Sequence, residues 1–264
     1  MIYFSISPYT SLIQRKLLKM KWKLFLILMV LGSIGIYCMS YIALPMILAH
    51  TDLPLPLEQI QIANLIQMCV FLGLCTLAGV VLHEKVYLNT PIIKVMILQQ
   101  KQHISVRPMI QWTMIGGILG GIILLAYQVV FQHLLSVSLI NKPPILPIGV
   151  RLFYGGITEE ILIRWGVMTL LVWILVKVFT KNFNAIPAHI YWIAIFVSAL
   201  MFAFLHLPIL FSMLATPSIT LIFMVIIGNS LFGLIAGYLY WKHGLESAMI
   251  AHILAHLIAF LIIS

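Results

Sequence analysis

Seven apolar runs, separated by short clusters of charged and turn-forming residues, set the pattern of the chain. They fall at approximately 24–48, 60–82, 109–133, 149–177, 189–211, 218–241 and 245–263, and each approaches or exceeds the roughly 20 helical residues needed to cross a hydrocarbon core. Hydrocarbon offers a peptide group no hydrogen-bond partner, so spanning segments of this length are predicted to be α-helices. The expected fold is therefore all-α: a polytopic membrane helix bundle of about seven transmembrane helices, forming a single membrane domain over 1–264. The first run is too long for the apolar core of a secretory signal, and no A-x-A-like cleavage site follows it.

Composition strengthens this reading. Of 264 residues, 63% are hydrophobic and 8% charged, far from the balance of a soluble domain. Fifteen Lys and Arg stand against six Asp and Glu, an excess that in a soluble chain would suggest a nucleic-acid partner. Here the positive charges follow the loops: Arg15, Lys16, Lys19, Lys21 and Lys23 precede the first run, Lys85, Lys94, Lys101 and Arg107 separate the second from the third, Lys177 and Lys181 follow the fourth, and Lys242 follows the sixth. Such an alternation excludes nucleic acid as the explanation. It predicts a basic cytoplasmic N-terminus over residues 1–23, and a short, basic, all-membrane chain without a targeting extension is expected in a bacterial plasma membrane. The opposite loops carry Asp52, Glu58 and Lys142. The stretch 83–108 mixes basic and apolar residues, which predicts an interfacial segment against anionic headgroups and without chemistry of its own.

Against this background the stretch GGITEEILIRWG, residues 155–166, stands out. An ionisable side chain at the bilayer centre costs about 2.5–3.5 kcal/mol on insertion scales, and Glu159, Glu160 and Arg164 impose that cost three times in six residues. On a helix advancing about 100° per residue, Glu160 and Arg164 lie within roughly 40° of each other and can pair, whereas Glu159 lies about 140° from the arginine. Glu160 is thus the expected structural partner of Arg164, and Glu159 the carboxylate left for water or substrate. A plain buried ion pair with an idle second glutamate would account for these three residues alone. It does not account for His206 in the fifth run, nor for His252 and His256, which share one face of the seventh at i, i+4 spacing.

His50, His83, His103, His133, His189 and His243 fall in loops or at the ends of runs and are assigned no role. Cys38, Cys69 and Cys75 lie within the runs without metal-ligand spacing, as small buried apolar residues do. The glycines of GGILGG (116–121) and the pair Gly233 and Gly237 have the small-xxx-small spacing of closely packed helices. Asn229 is either an interhelical hydrogen-bonding group or a cavity lining.

The chemistry open to these groups is hydrolytic. A carboxylate in apolar surroundings is a stronger base than one in water, so water held between a glutamate and a histidine becomes a usable nucleophile. Two imidazoles on one helix face can supply donors to a developing oxyanion. Neither a G-x-S-x-G nor an electropositive setting for a cysteine supports a serine or thiol nucleophile. Carboxylates with histidines at i, i+4 are also acceptable zinc ligands, although H-E-x-x-H is absent.

The motifs EEILIR (159–164), FAFLH (202–206) and FGLIAGYLYWKHGLESAMIAHILAH (232–256), in that order, resemble the CAAX protease and bacteriocin-processing family, also called the Abi or type II CAAX endopeptidase family. The resemblance covers about residues 150–260. It implies an intramembrane endopeptidase whose helices enclose a water-accessible cavity, acting on a peptide or membrane-protein substrate within the lipid bilayer. By position, Glu159 with His206 would activate water, Glu160 and Arg164 would hold the site together, and His252 would stabilise the oxyanion. His256 stands where eukaryotic relatives have Asn and would serve as a neutral donor. The expectation is a reaction without a cofactor. A zinc site of His206, His252 and His256 is the alternative. Two further readings use the same cavity without proteolysis: a membrane protein for bacteriocin self-immunity or partner binding, and a proton-coupled transporter, which the lack of an internal repeat disfavours.

Overall fold

A computed structural model describes residues 8–49, 53–98, 105–136, 146–214 and 216–263. It is an integral membrane protein: 88% helical, with no strand among the described residues. Seven helices are long and apolar enough to span a membrane: α1 (Leu17–Leu48), α2 (Leu57–Val86), α4 (Val106–Val130), α5 (Ile148–Thr180), α6 (Ala188–Ser212), α7 (Ile219–His243) and α8 (Leu245–Ile262). A short helix, α3 (Pro91–Leu98), lies between α2 and α4. The seven runs predicted from sequence correspond one to one with these helices. Several extend further than predicted, α1 and α2 by about a turn or more, because basic residues at a membrane surface do not end a helix. Expectations resting on His50, Asp52, Lys101, His103 and Lys142 lie outside the described residues, and nothing is described of the side chains of Arg15, Lys16 and His133.

The helix carrying the two glutamates is the hub of the bundle. Over half of the most apolar window of α5 is buried, 56%, against 28% for α1, α4 and α7. Its neighbours are α1, α2, α6, α7 and α8, and it supplies much of the core, including Ile161, Trp165, Met168 and Val172. From Arg151 to Met168 its backbone winds in wide turns of the i→i+5 type, broken only at Glu160, a geometry that recurs at functional sites in helices. Small residues make the close approaches. A Cβ at Gly35 would collide with Thr158 Oγ1 and come within 2.5 Å of Phe153 O, so α1 lies directly on the wide turn. Thr158 uses the contact, its hydroxyl donating to Gly32 O at 2.8 Å.

The glycines of 116–121 pack as their spacing predicts. Gly117 and Gly121 face Leu254 and Ile258 of α8, and Gly120 faces Phe232 of α7, so α4 covers both helices. Cys75 is buried, and Cys38 and Cys69 are partly so; all three are free thiols.

Two sequence expectations need correction at the basic end. His83 is not a solvated residue at a helix end: it is 1% exposed, bonded through Nδ1 to Gly79 O at 3.0 Å and tilted against the Trp165 ring. The segment after it is not merely pressed on headgroups either. Val86, Leu88 and Ile93 are core residues. The physical reason lies in α8, where the buried Glu246 accepts the Ile93 N–H through Oε1 at 2.8 Å while Leu245 N–H donates to Asn89 O at 3.0 Å. One carboxylate thereby caps the first turn of α3 and draws it into the bundle, where a helix dipole favours a negative group.

This cap predicts that Glu246→Ala lowers stability by about 0.5–2 kcal/mol, the usual cost of losing a helix N-cap, read as a lower unfolding midpoint in detergent. Glu246→Asp should recover part of the loss; a midpoint unchanged by Glu246→Ala would show that the segment holds itself in place.

Candidate active site

Each polar residue of the site owes its position to a local feature of its helix. Glu159 and Glu160 lie where the wide winding of α5 is interrupted, and the chain there divides their environments. Glu160 and Arg164 are fully buried, with 0% of either side chain exposed, and pair at 3.3 Å between Nε and Oε2. Arg164 also donates through Nη2 to Gly233 O of α7 at 3.2 Å and sits over the Phe202 ring of α6, 4.8 Å from its centroid. Gly233 can accept this bond only because it lacks a side chain: a Cβ there would meet Ala199 at 2.8 Å. Glu159 by contrast keeps 15% of its side chain exposed and lines a cavity of about 590 Å³.

His206 is placed by a break in α6. The backbone turns at Leu205 and His206 before Pro208, which has no N–H to continue the ladder. His206 N–H bonds to Ala203 O instead of Phe202 O, and the freed Phe202 O takes the ring nitrogen Nδ1 at 2.8 Å. A carbonyl oxygen only accepts, so Nδ1 carries the hydrogen and Nε2 of the neutral ring is left with its lone pair. That Nε2 lies 3.9 Å from Glu159 Oε1, too far for a direct hydrogen bond.

His252 is tied to the buried pair. Its Nδ1 lies 2.8 Å from Glu160 Oε1, so the carboxylate fixes the tautomer with Nδ1 protonated and aims Nε2 away from itself. The sequence reading missed this bond, because helix geometry within α5 says nothing about an acceptor reached from α8. His256 stacks on His252 with ring centroids 4.9 Å apart and planes 17° apart. Its Nδ1 is buried without a hydrogen-bond partner. On its other side the ring is held by Gly155, where a Cβ would come within 2.7 Å of His256 Nε2. Both imidazoles line the cavity with Glu159 and His206.

The structure thus brings Glu159, His206, His252 and His256 around one opening and places Glu160 and Arg164 behind it. The Phe202 ring lies 4.7 Å from the His206 ring and 6.4 Å from that of His252, which places the two imidazoles on neighbouring levels. Among the described residues no group of three or more His, Cys, Asp or Glu side chains is arranged to hold a metal ion. His206 and His252 each spend Nδ1 on a hydrogen bond, to Phe202 O and to Glu160 Oε1, and each keeps its Nε2. The remaining lining is mostly apolar, with Gln67, Tyr127, Arg151, Tyr154 and Asn229 as polar members. Asn229 is therefore a cavity residue, its amide nitrogen donating to Val225 O at 2.8 Å. Arg151 went unremarked in the sequence; a fourth charge within the fourth apolar run was the available signal.

Compared with family models, residues 141–258 match the one described as Type II CAAX prenyl endopeptidase Rce1-like. The family-like domain thus occupies residues 141–258, somewhat less than half of the chain. The match spans all six residues singled out above, from Glu159 to His256, and the family is one of intramembrane endopeptidases. Neither a curated protein nor a solved structure matches the chain.

The separate environments of the two glutamates generate a folding test. Glu160→Gln and Arg164→Ala each strand a buried charge and should reduce the yield of folded protein, at a cost of roughly 3–5 kcal/mol. Glu159→Gln, next to the cavity, should fold at close to wild-type yield in size-exclusion profiles. Equal loss in all three would contradict the division.

Proposed function

We propose that the protein is a glutamate-dependent intramembrane endopeptidase that cleaves a membrane-associated or small peptide substrate with water activated by Glu159 and His206. The observation that carries this reading is the pairing pattern of the two carboxylates. Glu160 is engaged by Arg164 and His252, while Glu159 borders the cavity facing an unprotonated imidazole nitrogen 3.9 Å away. A water lying against both is oriented by His206 Nε2 and gives its proton to Glu159 as its oxygen attacks the scissile carbonyl. The carbonyl oxygen then becomes an oxyanion in an apolar setting, where fixed donors are worth far more than in bulk water. His256 Nδ1, buried and unpartnered, is a candidate for such a donor, and His252, backed by Glu160, adds a second when its Nε2 is protonated. Collapse of the tetrahedral species expels the amine, which takes a proton back from Glu159. Glu159 thus takes the proton of the attacking water and returns it to the leaving amine, while the water oxygen stays in the new carboxyl terminus.

In the same reading the membrane is a plasma membrane, with the N-terminus on the cytoplasmic face. Support comes from Lys19, Lys21, Lys23, Lys85, Lys94, Lys177, Lys181 and Lys242, which all lie at one end of the bundle, as cytoplasmic loops require.

Mass spectrometry of membrane and small secreted peptides from cells carrying the wild type or Glu159→Gln tests the function. Product peptides should be present in the first and missing in the second at equal protein levels; identical peptide pools would point to a binding protein that uses the cavity without cleavage. On a substrate so identified, His256→Asn should retain much of the activity, while His256→Ala should lose about 2.7–4 kcal/mol of transition-state stabilisation, as removal of one oxyanion donor does. Stoichiometric zinc in the active purified protein together with an inactive His256→Asn would replace this mechanism with a metal-dependent one.

A further inference from the structure

The basic residues and the cavity occupy opposite ends of the bundle. Lys85, Lys94, Arg107, Lys177, Lys181 and Lys242 mark the end formed by the α2–α4 connection, the α5–α6 loop and the α7–α8 turn. Every helix that lines the cavity does so with the half away from that end or with residues at its middle. In α1 the lining residue is Met39, nine residues before the helix ends at Leu48; in α2 the lining runs from Gln67, ten residues after the start at Leu57, to Phe71 at mid-helix; in α6 it runs from Phe202 through Leu205 and His206 to Ile209, close to the end at Ser212. The wall reaches Leu146 and Ile209, beside the loops that join α4 to α5 and α6 to α7. Arg151, the only Lys or Arg of the described residues near this end, is itself part of the cavity wall.

Lys and Arg are retained on the cytoplasmic side of a plasma membrane. From the opposition of the two ends we propose that the cavity opens to the non-cytoplasmic face, and that the substrate is a polypeptide segment already on that side, such as an exported peptide or the outward end of a membrane protein. The inference rests on the endopeptidase reading for the word substrate, but the direction of the opening does not. Peptides confined to the cytoplasm meet the end where α3 and the Glu246 cap close the bundle.

Cysteine accessibility tests the direction without any substrate. In a background with Cys38, Cys69 and Cys75 replaced by Ala, Ile209→Cys and Leu146→Cys report on the cavity mouth, Leu55→Cys on the loop at the same end and Lys181→Cys on the basic end. With a membrane-impermeant maleimide on intact cells expressing the protein in the plasma membrane, the first three should label at least tenfold faster than Lys181→Cys, which should react only after permeabilisation. If the cysteine-free background fails to fold, the same four positions in wild-type background, corrected for the labelling of its native thiols, give the same comparison. Labelling of Lys181→Cys alone in intact cells would invert the orientation, and labelling of Leu55→Cys without either mouth position would move the opening to the cytoplasmic face; both overturn the proposal. Outward labelling combined with identical peptide pools in wild type and Glu159→Gln would retain the sidedness and overturn only the endopeptidase reading.

Discussion

A carboxylate can be buried completely in an apolar bundle only when its charge and its lone pairs are answered from fixed positions, and Glu160 is answered from two. Arg164 on the next turn of the same helix supplies the countercharge, and His252 from α8 supplies a hydrogen bond at 2.8 Å. Arg164 is in turn held by Gly233 O of α7 and by the Phe202 ring of α6. Four helices are therefore fixed in rotation and depth by one buried ion pair. Removing any member leaves a charge or a polar group in a medium that cannot solvate it, so the arrangement specifies this packing more than it adds to stability.

The remaining site geometry follows from that constraint. With α8 fixed by His252, His256 one turn further on is brought over Gly155, where only a residue without a Cβ leaves room for the ring. With α6 fixed by Phe202, the turn before Pro208 presents His206 to the neighbouring glutamate. Glu159 keeps access to the cavity because its neighbour in sequence satisfies the arginine. Two adjacent carboxylates thus differ in role through their partners alone.

The spans, the all-helical bundle and the candidate residues were legible in the sequence because the physical signals there are strong. Twenty apolar residues admit one structure in a bilayer, and charges in such a run stand out by their cost. Three features were not legible, each for a stated reason. The His252–Glu160 bond joins residues 92 apart in sequence, and within-helix angles carry no information about it. Angles on α5 itself were estimated for an ordinary α-helix, whereas its backbone winds more widely from Arg151 to Met168. The docking of α3 depends on Glu246, whose carboxylate caps that helix from the far end of the chain.

The claim that Glu160 is the fixed hub and Glu159 the free carboxylate is measured most directly by coupling energies. Two double-mutant cycles on unfolding stability in detergent suffice: Glu160→Gln with His252→Gln, and Glu159→Gln with His206→Gln. Residues that share a buried hydrogen bond couple by about 0.5–3 kcal/mol, whereas independent ones add within about 0.3–0.5 kcal/mol. The account predicts coupling of at least about 1 kcal/mol in the first cycle and near-additivity in the second. Additivity between Glu160 and His252, or strong coupling confined to Glu159 and His206, would contradict it.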